Sequence, residues 1–340
     1  MATPTEKRGG RGDRPRRPTA TDVARRAGVS QATVSYVMNN NPHQAIPEPT
    51  RQRVLTAAAD LGYTPSAAAR MLVSGRSDVV LLLLPDWPIG LGVASLLDEL
   101  SQAFAQHDLT FVIHPRVRTR PVTELWKSVT PAAVLAYDTF SDADLTAIER
   151  SGAALVLISA LNGNGFATDV ELTGRLQVEH LADAGHHHLG YAWPDDPRVI
   201  FFARHRLQGV RDACADLGLP PPVVCTVPLT VEGGGAAVTA WHAGPSPVTA
   251  VCAFNDEVAL AVLAGASRSG LTVPEDLAVI GVDDLPAASL VTPALTTVAR
   301  DTSGSARNIV DAVVTRLQGP TPPGSGSGSD GQHVVVRASG

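Results

Sequence analysis

Between Val79 and Val282 the chain alternates short apolar runs with segments of helical periodicity, and this alternation limits the fold more than any other feature. The runs are Val79 to Leu84, Phe111 to Ile113, Ala132 to Ala136, Ala154 to Ile158, Leu189 to Ala192, Val223 to Val227, Ala250 to Ala253 and Leu277 to Val282. Each is of strand length and is followed by a stretch long enough for a helix. Strands separated by helices line up in parallel, with helices covering both faces of the sheet. Eight such strands spread over residues 77 to 340 exceed the usual content of one sheet, so two lobes are predicted. Ligands of parallel sheets lie beyond the carboxyl ends of the strands, which places a cleft between the lobes.

The front of the chain is built on another plan. Residues 1 to 76 hold 12 Lys or Arg against 5 Asp or Glu, a net of +7, while residues 77 to 340 hold 15 against 28, a net of -13, within an overall charge of -6. A basic segment on an acidic body is the asymmetry of a chain that meets a polyanion at one end. Residues 1 to 18 mix arginine with Gly and Pro and lack an apolar run, so they read as a disordered basic arm that grazes phosphates or as an inert tail. Then comes TATDVARRAGVSQATVSYVMN. Thr19 and Asp22 stand in near-capping-box register before a helix whose inward face is Ala20, Val23, Ala24 and Ala27. Gly28 ends it. Ser30 caps a second helix with Val34, Val37 and Met38 inward and Gln31, Ala32, Ser35 and Tyr36 outward. Two short helices joined by a glycine turn form a helix-turn-helix, although an ordinary helical hairpin has the same pattern.

On the helix-turn-helix reading, Gln31, Ala32 and Tyr36 face base edges in the major groove, while Ser30, Thr33 and Thr50 contact phosphate or serve as caps. A third helix is expected over Thr50 to Leu61, with Val54, Leu55, Ala58 and Leu61 inward and Gly62 as its stop. Residues 65 to 76, which include AAARML, form a helical segment too short to persist unaided. The predicted organisation is therefore a basic arm (1–18), a DNA-binding domain (19–64), a hinge helix (65–76) and a two-lobed effector-binding and dimerisation domain (77–340).

These residues also carry a family resemblance. DVARRAGVSQATVSYVMN and TRQRVLTAAADLGYTPSAAARML resemble the DNA-binding domain and hinge of the lactose/galactose repressor (LacI/GalR) family. LADAGHHHLGYA, RLQGVRDACADLGL, VTAVCAFNDEVALAVL, GLTVPEDLAVIGVDDLP and PALTTVARD match further landmarks of that family in order, and HVVVRAS resembles its final strand. The resemblance implies an all-α helix-turn-helix domain joined to an α/β, periplasmic-binding-protein-like pair of lobes that the chain crosses three times. It implies a homodimeric repressor bound to near-palindromic double-stranded operator DNA and controlled by a small, sugar-like effector. Thr19, Ser35, Ser66 and Ala69 join the DNA contacts on this basis, and Leu72 matches the leucine that wedges into the minor groove. Tyr36 stands where the family often has arginine, and Ser66 where its hinge usually has Asn. VEGGGAA places glycine where some sugar-responsive relatives place an aromatic residue.

Effector candidates follow from strand ends. Asp86 and Trp87 follow the first strand, Trp193 follows LGYA, Asn255 follows AVCAF, and Asp283 follows LAVIGV. Carboxylates, an amide and an aromatic face suit a hydroxylated ligand. Each has a plainer alternative, since Asp256 and Glu257 can simply charge a helix start and Asp283-Asp284 can be turn chemistry. The resemblance singles out Arg206, Asn255 and Asp283, through RLQG, FND and GVDD.

Other chemistries find no support. His186, His187 and His188 are adjacent and diverge, so no metal is expected, and the three cysteines lack paired spacing. No nucleophile elbow or phosphate loop is present, so neither a catalytic residue nor a cofactor is predicted. No apolar run reaches membrane length and the arginine-rich front has no signal core, so the expected location is the cytoplasm and no membrane partner is expected. A solute-binding protein for transport shares the two lobes, but not the basic front.

Overall fold

The computed structural model describes residues 18–38, 45–64, 77–115, 124–125, 128–137, 140–160, 166–244, 246–319 and 331–340. Internal contacts divide the chain into two compact units, with the boundary between Ser77 and Asp78.

The first unit is helical. Helix α1 (Ala20–Ala27) begins with the capping box that Thr19 and Asp22 foreshadow, and it ends at Gly28, whose φ of 66° is left-handed and costs glycine no Cβ clash. Helix α2 (Gln31–Met38) follows. Helix α3 (Glu48–Leu61) starts at Glu48 rather than at Thr50, because Pro49 is tolerated in a first turn, where its missing N–H has no partner to lose. Val23, Val34, Val37, Val54, Ala57 and Ala58 form the shared core. Leu55, expected inward, is 40% exposed. The buried face of α3 runs through 54, 57 and 58, and one step beyond Val54 falls off that stripe.

In the second unit, β1 (Val79–Leu84), α4 (Leu91–Ala105), β2 (Thr110–Pro115), β3 (Ala133–Ala136), α5 (Asp142–Ser151) and β4 (Ala154–Leu157) build a parallel sheet of order β2-β1-β3-β4. From Val80 to Leu84, β1 is buried throughout, as a strand covered on both faces must be. The second sheet takes α6 (Phe166–Asp183), β5 (Leu189–Pro194), α7 (Ile200–Asp216), β6 (Val223–Val227), α8 (Val231–His242), β7 (Ala250–Ala253), α9 (Asp256–Arg268), β8 (Ala278–Val282), α10 (Pro286–Leu290) and β9 (Thr296–Arg300). The chain then returns to the first sheet as α11 (Thr302–Gln318), which packs on α4 and sends Ala306, Ile309, Val310 and Val313 into the first core. It comes back a last time as β10 (Gln332–Val335), antiparallel to β9, in the order β10-β9-β8-β7-β5-β6. The chain thus passes between the lobes three times.

Apolar runs alone do not reveal β9. Its Thr296 and Thr297 are fully buried, and they fit the interior because each hydroxyl is engaged: Thr296 with the Gly340 carbonyl and Thr297 with Asp256. The Gly233-Gly234-Gly235 run of α8 also gains a physical account. Any Cβ on Gly234 would collide with the Ala261 backbone, and any on Gly265 with Gly234, so the pair lets α8 and α9 cross at backbone contact.

Candidate functional site

In the helical unit, α2 leaves Gln31 and Ala32 exposed and Thr33, Ser35 and Tyr36 half-buried. Ser30 Oγ accepts from the Thr33 amide at 3.1 Å and lies 2.9 Å from the Thr33 hydroxyl, so both side chains organise the start of the helix. Thr19 donates its hydroxyl to Asp22 at 2.7 Å, while Thr50 sits in the first turn of α3 with its hydroxyl 3.5 Å from Arg53. Arg25, held 2.6 Å from Asp22, remains largely exposed. The outcome is a helix N-terminus whose first two side chains, Gln31 and Ala32, face solvent. Ser66, Ala69 and Leu72 fall outside the described residues.

The larger unit contains a cavity of about 270 Å³. Trp87, Arg206, Asn255 and Asp283 line it, drawn from both lobes. Asp86 and Trp193 do not. Asp86 is exposed and its charge acts on Arg198. Trp193 packs against the second-lobe cores, with its ring 6.4 Å from Tyr191. Its position in β5 aims it between sheet and helix instead of past the strand end.

Arg206, on α7, is only 4% exposed. Its Nη1 donates to the Phe254 carbonyl, its guanidinium lies 4.7 Å from the Phe254 ring centroid, and Nη2 is 3.6 Å from Asp283 Oδ1. Burial pulls this guanidinium below its usual value, and the Asp283 charge opposes that pull. Its Nε is buried with no hydrogen-bond partner among the described residues, which leaves one donor for an acceptor from outside the protein. Asn255 caps α9, where Oδ1 accepts from the Val258 amide at 3.0 Å, and its NH₂ donates to Glu257, another lining residue, at 3.5 Å.

The sequence offers Asp256 as a strand-end candidate or as a helix-start charge; it stands in the first turn of α9, does not line the cavity, and has a further role. It is fully buried and accepts from the Leu285 amide at 2.7 Å and from the Thr297 hydroxyl at 2.6 Å. Burial pushes its carboxyl up to about 7, against the two hydrogen bonds that pull it down. The bond to Leu285 pins a turn in which Asp283 and Asp284 both have positive φ, 101° and 48°. Such conformations persist only where surroundings fix them. Arg337 clamps Asp284 at 2.6 Å from below, which frees the Asp283 carboxylate to face Arg206 and the first turn of α4 at Gly92.

Tyr137, Phe202 and Arg300 also line the cavity and were not among the sequence candidates. Trp87 contacts Tyr137 at 4.6 Å and Phe202 at 4.7 Å between ring centroids, joining the lobes through aromatic edges. Arg300 ends β9, so reading TTVAR as a strand would have exposed it by the strand-end rule. Among the described residues, no group of three or more His, Cys, Asp or Glu is placed to hold a metal, and no helix is long and apolar enough to cross a membrane.

Residues 19–66 match the model of bacterial regulatory proteins of the lacI family, and residues 178–340 match a periplasmic binding protein-like domain. The HTH-type transcriptional regulator GalR of Escherichia coli (strain K12) is 31% identical over 292 residues, 82% of this chain and 83% of that protein. A transcriptional regulator CelR–cellobiose complex superposes with a TM-score of 0.61 at 26% identity, covering 95% of this chain and all of that one. A lac repressor dimer bound to operator and an anti-inducer shares the fold, with a TM-score of 0.71 at 22% identity over 95% of this chain and 99% of that one. A helix-turn-helix unit, a two-lobed unit and a relative of this identity over most of both lengths lead to one conclusion: the chain belongs to the lacI family of transcriptional regulators.

Proposed function

We propose that this protein is a cytoplasmic, homodimeric repressor that binds near-palindromic operator DNA through α2 and releases or engages it according to a small effector held in the interlobe cleft. The observation that carries this reading is the cleft itself, where Arg206, buried and with a spare donor, faces Asp283 and the opposite lobe. An effector that bonds to these groups meets both lobes and so favours one lobe angle over another. Its influence on DNA equals its differential affinity for the two arrangements, commonly ~1 to 3 kcal/mol.

A single helix-turn-helix reads few bases, so two-fold pairing supplies the specificity. In this reading residues 65 to 76 form a hinge helix on specific DNA, and Leu72 wedges between central base pairs. The CelR neighbour is described with cellobiose, and a sugar-like effector is the natural first class here. Gel shifts on DNA upstream of the protein's own coding region, with and without candidate sugars, test the proposal. A sequence-specific complex whose affinity changes with ligand supports it, and salt-sensitive binding without sequence preference refutes it.

A further inference from the structure

The two lobes meet through Trp87, which follows β1, and Phe202, in the first turn of α7, with ring centroids 4.7 Å apart. Beside these rings stand two opposite charges, one from each lobe. Asp86 precedes Trp87 in a turn closed by the Trp87 amide, which donates to the Pro85 carbonyl at 2.7 Å. Trp87 lines the cavity, whereas Asp86 is exposed and makes no hydrogen bond or ion pair among the described residues. Arg198 lies between β5 and α7, just ahead of Phe202. Its Nε donates to Asp196 Oδ1 at 3.0 Å and its Nη2 to Asp196 Oδ2 at 2.6 Å, while Asp196 Oδ1 also accepts from the Arg198 amide at 2.9 Å. This fork holds the guanidinium in place and leaves Nη1 without a bond among the described residues. Hydrogen bonds to Asp196 raise Arg198 above its usual value, and the charge of Asp86, from the opposite lobe, adds to the effect.

A guanidinium already ordered by one carboxylate loses little further freedom on meeting a second, so the usual entropy cost of an exposed ion pair is reduced. The attraction between Asp86 and Arg198 acts only while the lobes stand close at this rim, and opening the cleft removes it. Resting on the reading of the cleft as the site that controls DNA binding, we infer that Asp86 and Arg198 form a cross-lobe charge latch that favours the closed lobe angle and thereby sets operator affinity in the absence of effector. Neither residue lines the cavity, so the pair acts on the lobe angle and not on the effector. The DNA-reading helices belong to the other compact unit, before Asp78, and a change at this rim reaches them through the lobes.

The test uses full-length protein without effector, in gel shifts on DNA upstream of its own coding region and on random DNA. Wild type is compared with Asp86→Asn, Arg198→Gln and the double variant, and urea unfolding checks that all four are equally folded. Asp86→Asn makes the protein less negative and Arg198→Gln makes it more so, and a general charge effect on a polyanion moves their affinities in opposite directions. A latch moves both in the same direction, by about twofold to fivefold, and the double variant no further than either single one. Added salt should shrink the difference between wild type and variants, because exposed charges are screened. Shifts of opposite sign, additive shifts, or no shift in the variants while wild type binds its operator specifically overturn the latch and leave the cleft as the controlling site. Absence of any sequence-specific complex with wild type overturns that reading and the latch together.

Discussion

Replacing Asp256 should expose how the fold presents its cleft. Asp256→Ala deletes the acceptor of two buried hydrogen bonds, one from the Leu285 amide and one from the Thr297 hydroxyl. The amide cannot turn elsewhere and carries the full desolvation cost, whereas the hydroxyl can rotate toward another acceptor. Relief from burying a carboxylate offsets part of the loss, so the net destabilisation should be about 2 to 4 kcal/mol. Asp256→Asn keeps an acceptor oxygen and should lose much less. The two variants also differ from wild type in pH dependence. The Asp256 carboxyl sits near 7 in the folded chain against an ordinary 3.8, so its contribution is complete below the unfolded value and fades as pH rises through the folded one. Wild type should thus be more stable at pH 6 than at pH 8 by about 1 kcal/mol from this group, and Asp256→Asn should lack that increment. Urea unfolding of the three proteins at both pH values gives every number required. Equal pH responses in wild type and Asp256→Asn would refute the buried-strut argument, as would an alanine variant as stable as wild type.

Three further outcomes follow from the geometry. Exchanging Gln31 and Ala32, the exposed residues at the start of α2, should re-rank operator sequences in a binding-site selection, whereas a uniform loss of affinity would mean that they touch only backbone. Asp283→Ala should abolish the effector response in gel shifts and leave effector-free operator binding unchanged, because its carboxylate faces Arg206 and not the core; loss of DNA binding in a folded variant would refute this. Gly234→Ala places a methyl against the Ala261 backbone and should cost about 1 to 3 kcal/mol in urea unfolding, while Gly235→Ala, with open space at the same point, should cost almost nothing.

What the sequence made legible, and what it did not, divides along physical lines. The strands β1, β7 and β8 are apolar along their whole length, since both faces are covered, and such runs announce themselves. The helix-turn-helix is equally plain, because Thr19, Gly28 and Ser30 mark helix ends by chemistry local to a few residues. β9 escaped because its interior threonines owe their place to partners far along the chain, Asp256 and Gly340. Leu55 misled for a related reason: a side chain of core type lies one step off the buried stripe of α3, and the tightly packed first unit uses Ala57 instead.

The cleft shows the same division at finer scale. Any residue just past a strand is a candidate by the strand-end rule, and that rule found Trp87, Asn255 and Asp283, which line the cavity. It could not separate them from Asp86 and Trp193, because the direction of a side chain at a strand end depends on the turn that follows. At Asp283 that turn has two successive positive φ angles, held by Asp256 from one side and Arg337 from the other. At Asp86 no comparable clamp exists among the described hydrogen bonds, and the carboxylate faces solvent. Nor does any single position reveal which strand ends meet at the cleft. That property belongs to the sheet order, which gathers the ends of β1, β3 and β4 on one side and those of β7, β8 and β9 on the other. Site residues are thus readable singly from local chemistry, while the company they keep in the cleft is set by which strands the topology makes neighbours.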